Sequence, residues 1–374
     1  MAEKNEHKIA VIAGDLNGVT VTDATLKVVE NMDHLLKNRI THTRFDYNAD
    51  YFLENNLKEL GEKELAELQK HDQIFLGAIG DPVKIKPGVL EIGILLKLRQ
   101  AFDQYVNLRP VVLPNGIPSI IVGKSSNEIN FEICRENSEG LYVDAGWIEK
   151  KGTDEEAGYQ IMKCTYKGVK RLADYAIERG KLRKKNEKPI IHFVFKTNVL
   201  VHAASPWTRV FDEYKNRDDV ECKYMHIDNF LMQILLKPEQ FDVVITENMF
   251  GDIATDAGAV IQGGIGSAVS GNINPTGDYP SMFEPIHGTA PDKWYEIDKN
   301  GEYIAGTFVK EKVQEVKPEA AFLSYSMMLE QMGEIKAANA LKEAALNNIR
   351  LADYKTKKLD ELVEETIKFV KEYK

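Results

Sequence analysis

The chain has 374 residues, 43% of them hydrophobic and 28% charged, with a formal net charge of -10 at pH 7. That balance belongs to a folded globular protein, at a length where one core usually divides in two. The negative charge argues against a general nucleic-acid binder, which needs a cationic surface to displace counterions. Cys134, Cys164 and Cys222 are too widely spaced for a zinc site or a disulfide scaffold.

The N-terminus passes from a polar tail into the β-branched run KIAVIA at 8–13, and no apolar stretch is long enough to span a bilayer. A cytoplasmic protein without membrane contact is expected. After KIAVIA come a Gly/Asp turn and VTDATLKVVENMDHLL with helical spacing. The pattern repeats with QIFLGAIG (73–80) and the helical VLEIGILLKLRQAFD, which indicates an α/β sheet covered by helices. YVNLRPVVL (105–113), SIIVGK (119–124) and INFEICREN (129–137) read as strand-rich. GYQIMKCTYKGVKRLADYAIERGK reads as a helix with its basic end at the negative pole of the dipole. The basic run KLRKKNEK (181–188) reads as a solvated connector. Beyond it the pattern predicts the strand PIIHFVFK, helices around SPWTRVFDEYK and NFLMQILLK, and the buried strand FDVVITEN. Gly-rich loops (263–288), two helices and a charged amphipathic end complete the chain.

Several residues have the types that carry chemistry. Asp252 and Asp256 are four apart in ENMFGDIATDAG, a spacing that places both carboxylates on one helix face. With substrate and water oxygens they suit Mg2+ or Mn2+, although a helix cap beside a solvated aspartate fits the same spacing. Asp228 starts another helix-like segment. Arg99, Arg109 and Arg135 lie near strand or helix ends, where their forks can hold carboxylates or simply form surface ion pairs. Lys196 follows the strand IIHFVF and is expected to project from a sheet edge into a cleft. Tyr142 lies in RENSEGLY. Both can act as base and acid once burial shifts them, or can be a snorkelling lysine and a core tyrosine. In FEPIHGTAPD, Asp292 can accept from ribose hydroxyls and repel a 2′-phosphate, favouring NAD, or can cap a tight turn. The loop GDLNGVT lacks the GxGxxG of a Rossmann fold.

The segments FLGAIGDP, LLKLRQAFDQYVNLRPV, RENSEGLY, KTNVL, MHIDN, FDVVITENMFGDIATD and FEPIHGTAPD resemble, in order, those of the β-decarboxylating isocitrate/isopropylmalate dehydrogenases. AFDQYVNLRPV and NINPTGDYPSMFEPIHGTAPD look most like the tartrate and D-malate branch. Leu95 and Leu96, where isocitrate enzymes have serine and asparagine, speak against isocitrate. The resemblance implies a non-Rossmann, two-domain α/β fold with a dimer clasp. Residues 1–104 and 263–374 would form the large cofactor domain, and 105–262 the small domain with substrate, metal and dimer residues.

The resemblance further implies that Arg99, Arg109 and Arg135, with Leu95 and Leu96, meet the substrate. Asp252, Asp256 and Asp228 would hold the metal, Lys196 and Tyr142 would move protons, and His287, Gly288, Thr289, Ala290 and Asp292 would bind NAD. Asp228 and Lys196 would come from the second subunit of a homodimer. The expected reaction is NAD-dependent oxidative decarboxylation of a malate-like 2-hydroxy diacid.

Two departures fall on loops that the resemblance places around the cofactor. Leu16 and Asn17 stand where the family usually has glycine and isoleucine, and a longer segment after Asp292 ends with Lys317 where the family has an adenine-binding asparagine. These changes leave open an enzyme for an unusual substituted malate, or a catalytically silent regulatory subunit, although Lys196, Tyr142 and the aspartates are all present.

Overall fold

The computed structural model describes residues 6–184, 187–307 and 309–374. Its elements begin with β1 (Glu6–Ile12), α1 (Asn17–Val29), β2 (Arg39–Phe45), α2 (Ala49–Glu54), α3 (Glu62–Leu68), β3 (Gln73–Leu76) and α4 (Lys97–Ala101). Next come β4 (Val106–Val112), β5 (Asn130–Glu136), β6 (Gly146–Glu149), β7 (Ala157–Gln160), α5 (Tyr166–Arg183), β8 (Ile190–Phe195) and α6 (Val201–Tyr214). They are followed by β9 (Glu221–His226), α7 (Ile227–Leu236), β10 (Val243–Thr246), α8 (Asn248–Ile261), β11 (Val269–Ile273) and β12 (Ser281–Pro285). The chain ends with α9 (Lys310–Val313), α10 (Glu319–Gln331), α11 (Ile335–Arg350) and α12 (Leu359–Glu372).

Two compact units emerge, one from Met1–Asp103 with Gly263–Lys374, the other from Gln104–Gln262. In the first, the strand order is β2-β1-β3-β12-β11, with β1 parallel to both β2 and β3. Strand β12 runs parallel to β3 and antiparallel to β11. Ile9, Val11, Ile12, Ile74, Phe75 and Leu76 are fully buried, because a parallel sheet is covered on both faces. Helix α10 packs on β12, β11 and β3 and reads apolar on most sides for that reason. Phe52, Ile94 and Leu98 cluster with Ala10, Ile12 and Leu76.

In the second unit the order is β4-β5-β10-β8-β9, with β5, β10, β8 and β9 parallel and β4 antiparallel to β5. Helix α5 contacts β5, β8 and β10, while α8 lies on β4 and β5 and α7 on β8 and β9. Val111, Ile133, Val194, Phe230, Ile234 and Ala254 form the core beneath α7 and α8. The antiparallel pair β6 and β7 makes a separate arm.

Several sequence expectations need correction. SIIVGK is no strand: Ile121 N–H turns onto Ser119 Oγ at 2.9 Å, Lys124 N–H onto Ile121 O at 3.2 Å, and Val122 is 98% exposed. The long helix expected from Gly158 begins only at Tyr166, where Thr165 caps it, and its first residues form β7. The stretch 263–288 is not all loop, since it holds β11 and β12. VLEIGILLKLRQAFD winds as a π-helix over Glu91–Leu96 before α4, and Gly93 C=O accepts from Leu60 N–H at 2.9 Å. Such widened turns are uncommon and recur at functional sites. The basic run 181–188 is not simply solvated: Arg183 donates to Asp242 and Asn130, while residues 185 and 186 lie outside the described residues.

Both units place loops at the carboxyl ends of parallel strands. In open α/β sheets ligands bind there, where the strand order reverses direction. In the first unit that point lies between β1 and β3, and in the second between β8 and β10.

Candidate active site

In the second unit, Arg135 is the penultimate residue of β5, β10 runs into α8, β8 ends just before Lys196, and β9 leads into α7 with Asp228 in its first turn. Asn107 stands opposite Arg135 across the antiparallel β4–β5 pair, so Arg109, two residues on, shares that face. Both arginines are buried, at 7% and 1% exposure. Arg109 donates to Asn107 Oδ1 at 2.9 Å and to Thr255 Oγ1 at 3.2 Å. Arg135 donates to Asn248 Oδ1 at 3.0 Å and pairs with Asp252. The other oxygen of Asp252 accepts from Tyr142 Oη at 3.0 Å, and the Arg135 guanidinium stands 5.5 Å from the Tyr142 ring.

The close approach of α8 to Arg135 depends on glycine. A Cβ on Gly251 would stand 2.4 Å from Arg135 Cγ, and one on Gly258 would stand 2.7 Å from Val111 Cγ2. Neither aspartate caps α8: Glu247 does, accepting from Met249 and Phe250 N–H at 3.1 Å each. Asp252 is thereby left to Arg135 and Tyr142, and Asp256, one turn later, is exposed. Burial, reinforced by the Asp252 charge, raises the Tyr142 pKa, so its hydroxyl keeps its proton at neutral pH.

Lys196 leaves β8, an interior strand rather than a sheet edge. Its Nζ donates to Asp228 Oδ1 at 2.7 Å, which lowers the Asp228 pKa. The corner after it is tied down by Tyr224, whose hydroxyl donates to Thr197 Oγ1 at 2.9 Å. Asp228 is thus engaged with Lys196, while Asp252 is engaged with Arg135 and Tyr142. Among the described residues no three His, Cys, Asp or Glu side chains converge as a metal cage. Two carboxylates on one helix face still match Mg2+ or Mn2+, which take one or two protein carboxylates and complete their shell with water and substrate oxygens.

In the first unit, Arg99 is buried and meets Glu284 Oε1 at 3.4 Å. Ser270 Oγ and Asn272 Nδ2 donate to the same carboxylate at 3.3 and 2.8 Å. Leu95 packs partly against the core and Leu96 is half-buried, both on the π-helical turn. At the switch point, Asp15 accepts from Ala49 and Gly80 N–H at 3.0 and 2.9 Å, and its own N–H reaches Ala78 O at 2.8 Å. Gly14 and Gly18 both abut Ala78 O, leaving no room for a Cβ.

The 287–292 loop joins them, with Asn17 N–H donating to Thr289 O at 3.3 Å. His287 Nδ1 lies 3.1 Å from Gly288 O, burial lowers its pKa, and its buried Nε2 has no hydrogen-bond partner among the described residues. Gly288 is open, Ala290 takes a left-handed φ of 46°, and Asp292 is exposed without capping the short turn. An orphaned imidazole nitrogen beside three strand-end loops fits a nicotinamide dinucleotide. Sequence reasoning passed over Asn107, Glu247, Asn248, Gly251, Thr255 and Glu284. The spacing of Asn107 from Arg109, and the seven-residue interval between Gly251 and Gly258, were signals for some of them.

Two buried arginines, one of them paired with a carboxylate that also accepts from a protonated tyrosine, beside oxygen donors for a hard cation, suit a metal-assisted enzyme for small organic acids. The chain matches the Isocitrate/isopropylmalate dehydrogenase family model over residues 8–372 and belongs to that family, whose members are decarboxylating dehydrogenases using NAD and Mg2+ or Mn2+. It is 41% identical to a 3-isopropylmalate dehydrogenase of Corynebacterium efficiens, over 91% of this chain and 93% of that protein. It is 40% identical to one of Clavibacter michiganensis, over 88% and 87%. The structure superposes on isocitrate dehydrogenase from Methylococcus capsulatus with a TM-score of 0.80 and 26% identity, covering 98% of this chain and 100% of that one.

Proposed function

We propose that the chain oxidises a malate-like 2-hydroxy diacid of the 3-isopropylmalate type with NAD+ and releases its β-carboxylate as carbon dioxide, using a site shared by two copies. The observation that carries this reading is the connected set of buried Arg109 and Arg135 on β4 and β5, Asp252 on α8, and Tyr142 on the segment after β5. Arg109 and Arg135 bind carboxylate in fork geometry and orient the diacid, with Arg99 as the third cation. Asp252 and Asp256, with Asp228 of the partner subunit, would hold the Mg2+ or Mn2+. When bound, the ion polarises the C2 oxygen and lowers the barrier to oxidation and decarboxylation. Lys196 of the partner subunit takes the hydroxyl proton as hydride leaves C2, and Tyr142 returns a proton to C3. His287 and the 288–292 loop would hold NAD, with Asp292 disfavouring a 2′-phosphate.

Two observations support a homodimer. Exposed Ile253, Asp256 and Val260 recur along one side of α8, and Met232, Leu235 and Leu236 are exposed on α7. Trp147, Ile148 and Tyr159 are exposed on the β6–β7 arm, which suits a clasp. The tartrate/D-malate reading draws on NINPTGDYPSM, yet Asn274 there serves the scaffold. Its Nδ2 donates to Phe102 O and Asp103 O at 3.1 and 3.2 Å, and its Oδ1 accepts from Thr276 and Gly277. That motif therefore speaks for a shared scaffold more than for a shared substrate.

The test is NADH formation with Mn2+ and 3-isopropylmalate, D-malate, tartrate, isocitrate or homoisocitrate, run with NAD+ and with NADP+. Turnover of 3-isopropylmalate with NAD+ is expected. Preference for tartrate or D-malate would move the chain to that branch, and silence with a folded dimer would favour an unusual substituted malate or a regulatory subunit.

A further inference from the structure

The two departures from the family pattern meet in space. Asn17, on the first loop, accepts through Oδ1 from Trp294 Nε1 at 2.8 Å. The next residue, Tyr295, donates through its hydroxyl to buried Asp81 Oδ2 at 2.7 Å, on the loop after β3. The segment beyond folds as a small hairpin, with Asp298 N–H on Glu302 O at 2.8 Å and Ile304 N–H on Glu296 O at 2.9 Å. It is closed at its base by Val309 N–H on Trp294 O at 3.2 Å and by the Lys293–Glu315 ion pair at 2.7 Å. Lys317 is directed elsewhere: its ammonium donates to Lys357 O and lies 5.3 Å from the Tyr354 ring.

We infer that Asn17, Trp294 and Tyr295 are cofactor-positioning residues, pinning the 293–307 hairpin across the β1/β3 switch point as a wall of the dinucleotide site. This rests on the cofactor reading proposed above and extends it to this chain's own loops. A dinucleotide approaching the loops after β1 and β3 meets the segment fastened to both. An apolar residue at position 17 offers no acceptor to an indole N–H, so the asparagine and the tryptophan form a matched pair. Leu16, next to Asn17, takes a φ of 49°, in the region that favours glycine.

The test is equilibrium titration of the full chain with NADH alone, followed by cofactor fluorescence, for wild type, Asn17→Ile, Trp294→Phe, the double variant and Tyr295→Phe. Loss of one such hydrogen bond predicts about five- to tenfold weaker NADH binding in each single variant. The double variant should match the Asn17→Ile single, since both changes break one contact. Mn2+-dependent binding of 3-isopropylmalate should stay within twofold (about 0.4 kcal/mol) of wild type. Hydrogen exchange at amides 296–304 should slow on NADH addition in wild type and respond less in Tyr295→Phe. If wild type binds NADH and all variants bind it equally, the inference is overturned while the cofactor reading stands. If wild type does not bind NADH, the cofactor reading itself falls and takes the wall with it.

Discussion

Two ion pairs at the carboxyl ends of parallel strands in one unit are nearly equal in length and opposite in setting. Arg135 and Asp252 are 2.5 Å apart, with side chains 2% and 41% exposed, and a tyrosine and an asparagine complete their hydrogen bonds. Lys196 and Asp228 are 2.7 Å apart at 26% and 63% exposure. The first pair has its environment built by its own chain. The second is more open to solvent, and in the function proposed above it completes the site of the partner copy.

The largest effect tests that contrast directly. Tyr142→Phe and Lys196→Ala should each lower kcat by about 10²–10⁴ while leaving a folded protein, because each removes one of the two groups proposed above to transfer protons. If Lys196 serves the neighbouring subunit, mixing the two inactive variants restores one intact site in each hybrid dimer. About a quarter of wild-type activity should then return on random reassociation. No recovery after verified subunit exchange would place Lys196 and Tyr142 in the same chain's site.

The buried pair should dominate stability. Arg135→Ala removes the partner of Asp252 and leaves Asn248 Oδ1 unmet, at a cost of about 3 kcal/mol, which falls short of the upper values for fully buried pairs because Asp252 reaches solvent. Gly251→Ala forces a methyl group into the Arg135 stem and should cost about 1–3 kcal/mol by overpacking. Urea denaturation reads both. A Gly251→Ala protein as stable as wild type would show that α8 can move away without penalty.

How far the sequence reached follows the same division. The parallel strands were legible because burial on both faces writes continuous β-branched runs, as in Ile9 to Ile12 and Val243 to Ile245. Arg109, Arg135 and Asp252 were legible by type, and by resemblance as a set, but not as a bonded cluster. Their partners Asn107, Asn248 and Thr255 are ordinary residues whose role depends on which strands pair. SIIVGK carries three successive β-branched residues like a strand, yet Ser119 takes the Ile121 N–H that strand pairing would use. The Asn17–Trp294 contact links residues 277 positions apart, and no local pattern announces such a contact.

Acid should act on both units through histidines that desolvation keeps neutral, His192 buried and His42 half-buried. Burial lowers His192, against Phe241 in the second unit, and His42, beside Tyr325 in the first, each to about 4. Between that value and the unfolded value near 6.5, the unfolded chain binds the extra protons, so stability rises with pH across the window and is lost as pH falls through it. Each histidine accounts for roughly 3 kcal/mol once pH lies below its folded value. His192→Phe should flatten its share of the decline between pH 6.5 and 4 in chemical denaturation. An unchanged slope would mean that His192 is protonated in the folded protein.

The smallest effect is the sharpest statement about the exposed pair. Asp228 stands largely in water and Lys196 reaches it in part, so their attraction is screened and little is gained by holding two side chains together. Lys196→Ala should therefore change unfolding free energy by less than about 1 kcal/mol, in the same protein whose turnover it removes. The Asp228 pKa, lowered by Lys196, adds stability only above the ordinary carboxylate range and loses it as pH falls through the lowered value, so the variant should differ from wild type least in acid. A loss as large as that of Arg135→Ala would mean that Lys196 braces the fold, and its role in proton transfer would then have to be judged from kcat at matched stability.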